Sequence, residues 1–81
     1  MTMPIIQSGT FTLGAGTTSV AVTFATAYSS GVTPRVLAGI QENRNYNSEW
    51  VHTISETGFT YQIETADADY ARNIAYIAIS A

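Results

Sequence analysis

The stretch GFTYQIET, residues 58–65, alternates without a break. Phe59, Tyr61 and Ile63 fall on one side of an extended chain, and Thr60, Gln62 and Glu64 on the other. Successive strand side chains point to opposite faces, so this pattern predicts a strand with one face in a core and one in solvent. Its aromatic and β-branched residues suit a pleated, half-buried surface. Just upstream, SETG (55–58) predicts a short hairpin turn, with Gly58 expected at φ > 0.

The same period recurs on either side. SVAVTF (19–24) sets Val20, Val22 and Phe24 against Ser19, Ala21 and Thr23, and WVHTI (50–54) puts Trp50, His52 and Ile54 together. The breaks are LGAGTT (13–18), YSSGVTP (28–34), NRNYN (43–47) and TADADY (65–70). Pro34 pushes Thr33 towards extended backbone. Strands are therefore expected near 5–13, 19–24, 35–42, 49–55, 59–65 and 71–80, with no helical stripe anywhere. An all-β, six-stranded antiparallel β-sandwich follows, as a single domain over residues 1–81.

Two segments break the alternation. RVLAGI (35–40) has Val36, Ala38 and Ile40 on one face but Leu37 on the other; RNIAYIAI (72–79) opposes Ile74, Tyr76 and Ala78 to Ala75, Ile77 and Ile79. A strand apolar on both sides is covered on both sides. A domain of this size buries only about 60% of the surface its unfolded chain exposes. With no Cys and one His, neither disulfides nor a His/Cys metal site can help. A second copy of the chain is the simplest cover, so a homo-oligomer is expected.

Charge narrows the partners. The three cations are Arg35, Arg44 and Arg72, lysine is absent, and the net charge is −3. No basic patch of the kind duplex nucleic acid needs is present. The opening MTMPIIQSG does not read as a signal peptide, and the apolar runs are too short to span a bilayer. Neither membrane insertion nor a cofactor is expected.

Three segments, in order, resemble H-type lectin domains. VTFATAYSSGVTPRVLAGI (22–40) is similar to the family's Phe-containing strand, Pro-bearing loop and Val-rich strand; SETGFTYQIET (55–65) resembles its Ser-x-x-Gly-Phe turn and following strand; NIAYIAIS (73–80) resembles its closing strand. The resemblance covers residues 19–81 and implies a trimeric β-sandwich, probed elsewhere in the family as invertebrate agglutinins for galactose-type sugars and also found in microbial adhesins and phage fibres. The sugar-binding members carry a Trp-His pair in the loop before the last strand. Here the equivalent positions hold Ala66 and Asp67, the loop is shorter, and the Arg expected before the fourth strand has no firm counterpart beyond Arg44. The resemblance therefore implies the fold and trimer without the inherited sugar site.

Several residues remain as candidates. Asp67 and Asp69 could accept sugar hydroxyls, ligate calcium with Glu64, or simply cap a turn. Asn43, Arg44, Asn45 and Tyr46 supply hydrogen-bonding groups and a ring that a shallow glycan site uses. Trp50 could be a carbohydrate platform, an interface anchor or core, sharing a face with Ile54; His52 reads as a packed or edge-facing residue. Arg72, beside Asp69 or Asp67, reads as no more than a surface ion pair. No Cys, no Lys and no Ser-His-Asp arrangement supports catalysis. The expectation is a non-enzymatic carbohydrate-recognition or adhesin domain using the 43–48 and 65–71 loops, virion-borne or extracellular, such as a phage receptor-binding protein. The alternative is a structural virion component, a decoration, cement or fibre-tip protein, with virion proteins as its partners.

Overall fold

The computed structural model describes residues 5–41 and 48–80. Six strands run in order: β1 (Ile6–Leu13), β2 (Ser19–Thr23), β3 (Arg35–Ile40), β4 (Glu49–His52), β5 (Gly58–Ile63) and β6 (Arg72–Ile79). They form two three-stranded antiparallel sheets, β1-β6-β3 and β2-β5-β4. No helix occurs among the described residues. The two-sided strands are neighbours: β6 is central in the first sheet, with Ile6 and Arg35 both opposite Ile79, and Leu37 opposite Ile77.

The inner faces of the two sheets meet in an aromatic core. Phe59 of β5 lies 5.2 Å from Tyr76 of β6, 6.1 Å from Phe11 of β1 and 5.8 Å from Phe24, measured between ring centroids. Most of these pairs are edge-on or tilted, the geometry that ring quadrupoles favour. Leu13, Tyr61, Ile63 and Ile74 complete the most deeply buried set. The inward parity expected for β2, β3, β5 and β6 is the one observed.

One carboxylate ties the two sheets together. Glu49 Oε1 accepts from the Tyr61 hydroxyl at 2.6 Å, within the second sheet, and from the Ile40 backbone N–H at 3.2 Å, in the first. At the opposite end the Ser80 Oγ accepts from the Ile5 N–H at 2.9 Å, and the Ser80 N–H donates to the Ile5 carbonyl at 3.0 Å. Gln7 holds the chain leaving β2, its amide donating to Thr26 O at 2.7 Å and accepting from Thr26 N–H at 3.2 Å.

Three expectations are corrected. Gly58 is not at positive φ; the glycines there are Gly16 and Gly31, at 77° and 86°. Gly58 is buried because β2 passes so close that a Cβ would overlap the Val22 carbonyl oxygen. β4 stops at His52 rather than at residue 55, because Thr53 takes φ 53°. That left-handed residue breaks the alternation, so Ile54 turns to pack on the core while Trp50 stays outside. Trp50 is thus not a core residue. It is 46% exposed.

Candidate functional site

The β5–β6 connection is organised by Asp67. Its Oδ1 accepts from the backbone N–H groups of Asp69 at 3.0 Å and Tyr70 at 3.2 Å, an Asx turn. Its Oδ2 stands 3.7 Å from the Arg72 guanidinium, whose residue is only 5% exposed. Its carbonyl accepts from the Gly16 N–H at 2.7 Å, tying this connection to the β1–β2 turn. Oδ1 therefore caps the exposed turn, and Oδ2 faces a buried partner. The turn-capping role, one of those the sequence allowed, is the one the geometry displays. Of the two pairings open to Arg72, the ion pair described is with Asp67, and it is not the expected surface pair, because Arg72 is buried where β6 begins.

Asp69 sits two residues on, exposed, and takes part through its backbone N–H, which donates to Asp67. Among the described residues no three His, Asp or Glu side chains gather closely enough to hold a metal ion. The two aspartates should separate experimentally. Asp67→Ala removes two backbone acceptors and the Arg72 pairing, and is expected to cost about 1–3 kcal/mol. Asp69→Ala should stay within about 0.5 kcal/mol of the parent, as surface substitutions do. Urea unfolding of both variants checks this.

Asn43, Arg44, Asn45 and Tyr46 lie outside the described residues. The remaining candidates fall on the outer face of the second sheet. Trp50 stands opposite Gln62, which on its other side stands opposite Ser19; His52 stands opposite Thr60, which stands opposite Ala21. The imidazole is held on both sides. His52 Nδ1 is 2.8 Å from Thr53 Oγ1, and Nε2 is 3.5 Å from Gln62 Oε1. The Gln62 amide also donates to the Ile63 carbonyl at 3.2 Å.

The first sheet presents a different outer face. Ile6 (61% exposed), Leu37 (75%), Ile77 (44%) and Ile79 (41%) lie together there with Arg35. They line an almost wholly apolar groove of about 360 Å³. The two-sided patterning of β3 and β6 was the sequence signal for this face. Trp50 and His52 share a face as expected, but Ile54 does not join them, because nothing local announces the left-handed Thr53.

No family model matches this chain, and no curated protein matches it significantly.

Proposed function

We propose that this domain is a non-enzymatic recognition module of the H-type lectin kind, assembled as a homotrimer and binding surface glycans, as a phage receptor-binding protein would. The observation that carries the reading is the aliphatic outer face of the β1-β6-β3 sheet. Monomeric proteins seldom leave a contiguous apolar patch of this sort in water. A second and third copy of the chain, with β1 and β6 near a three-fold axis, would cover it. Trimerisation suits a binder of weak ligands, because linked sites gain avidity without new contacts. The uncharged polar surface and the Asn-rich 43–48 loop supply the hydrogen-bonding groups that sugars require.

A second reading has its own observation. The 65–71 loop, where the resemblance places a sugar site, is a turn pinned from inside through Asp67. That favours a structural virion component that keeps the assembly face and has no sugar site.

Two measurements decide. Light scattering is expected to give three times the 8.7 kDa chain mass. Leu37→Lys places an ammonium on the most exposed aliphatic position, beside Arg35, and should leave a folded monomer at micromolar concentration. Full burial of one such side chain contributes about 1.5–3 kcal/mol per copy, and an unpaired buried charge opposes it strongly. A variant that keeps the parent mass sinks the proposed interface. On a glycan array, selective binding by the parent supports the lectin reading. A blank array with a stable trimer selects the structural one.

A further inference from the structure

The outer face of the β2-β5-β4 sheet is unlike the aliphatic face on the other side of the molecule. It has one large apolar group, Trp50, and around it Ser19, Thr60, Gln62 and His52. The ring is nearly half exposed, on the edge strand of a rigid sheet. The indole faces out because Trp50 pairs with Gln62, while Val51 and Tyr61 take the inner side.

We propose that this face is a shallow binding site for a neutral pyranose, with Trp50 as the stacking platform, Gln62 as the hydroxyl partner and His52 holding Gln62 in place. The proposal rests on the glycan-recognition reading and gives it residues other than those of segments 43–48 and 65–71. Three observations support that occupant. A pyranose has one face of C–H groups and a rim of hydroxyls, and needs one aromatic surface ringed by hydrogen-bonding side chains. Trp and its neighbours supply that pairing of apolar body and polar surround. Second, the polar groups are already held: imidazole to Thr53, imidazole to Gln62, Gln62 to the Ile63 carbonyl. Side chains fixed on strands lose little freedom on binding.

The third observation is charge. Of the described cations, Arg35 lies on the opposite outer face and Arg72 is buried at the β6 end. With no cation on this sheet face among the described residues, phosphates, nucleic acid and acidic sugars have nothing to pair with. A protein partner is also a poor fit. The positions beside Trp50 are small or polar, so the face lacks the cluster of apolar anchors that makes an interface core.

Trp50 is the chain's single tryptophan, so its fluorescence reports this site alone. The experiment titrates the intact protein with methyl β-galactoside, methyl β-glucoside, methyl α-mannoside and methyl N-acetyl-β-glucosaminide, following emission. It is paired with the glycan array and light scattering on the parent, Trp50→Ala and Gln62→Ala. The expected result is a saturable emission change with at least one glycoside. Array binding should fall about ten-fold or more in Trp50→Ala, and less in Gln62→Ala, with molecular mass and melting temperature unchanged. Selective array binding that Trp50→Ala retains in full overturns this site and leaves the lectin reading standing on its loops. A change of mass in Trp50→Ala makes Trp50 an assembly contact and overturns the proposal. A blank array and unchanged emission with the parent overturn both the site and the glycan reading.

Discussion

Phe59→Ala is expected to leave the domain barely folded. The ring is 3% exposed and touches aromatic rings from both sheets: Phe11 and Tyr76 from the first, and Phe24 at the end of β2. Truncating a buried Phe costs about 3–5 kcal/mol, as lost transfer free energy plus the cavity left behind. A chain of this length has roughly 4–12 kcal/mol in total. The loss should appear as a melting temperature lower by roughly 15–30 °C. Phe59→Leu keeps most of the volume and should lose about 1.5 kcal/mol or less. Calorimetry on both variants checks the pair. Equal losses would show that the site relaxes freely and that Phe59 is not the hub of the core.

Gly58→Ala reaches a comparable loss by the opposite route. The added methyl would overlap the Val22 carbonyl oxygen, and would stand 3.1 Å from the Val22 carbonyl carbon and 3.2 Å from Thr23 Cα. These are backbone atoms of the paired strand, in register opposite Gly58 and Phe59. No rotamer change relieves such a clash; β2 and β5 must separate at this end. Overpacking typically costs about 1–3 kcal/mol, and displaced backbone puts this case at about 3 or more. Urea unfolding measures it. A loss under about 1 kcal/mol would mean that the β2–β5 end is looser than its geometry implies.

Comparing these residues shows what a sequence can disclose. The alternation of 58–65 names the strand and its inner face, and the two-sided patterns of β3 and β6 name the first sheet's outward aliphatic face, because both depend on period alone. Asp67 was legible as one of several roles, since an Asx turn is local. Gly58 was misread because its reason is a strand about 35 residues upstream, so the absent side chain looks like a turn glycine. Thr53 was not legible at all. A β-branched residue gives no warning of positive φ, and that single angle moves Ile54 inward, off the face that Trp50 and His52 share. Glu49 reads as a surface acid until Tyr61 and the Ile40 amide are seen to face it.

The β1–β6 pairing joins the first strand to the last, with Ile6 beside Ile79 and an Ile5–Ser80 bond closing the end. During synthesis β1 emerges early and has no correct neighbour in its sheet, because β6 is translated after every other strand. β3 waits for the same partner. The first sheet is therefore expected to form late, and until then β1 and β3 have unpaired backbone edges. Such non-local pairing folds slowly, over roughly milliseconds to seconds. Folding yield is therefore expected to fall as the concentration of refolding chains rises, because unpaired strand edges can meet another unfinished copy.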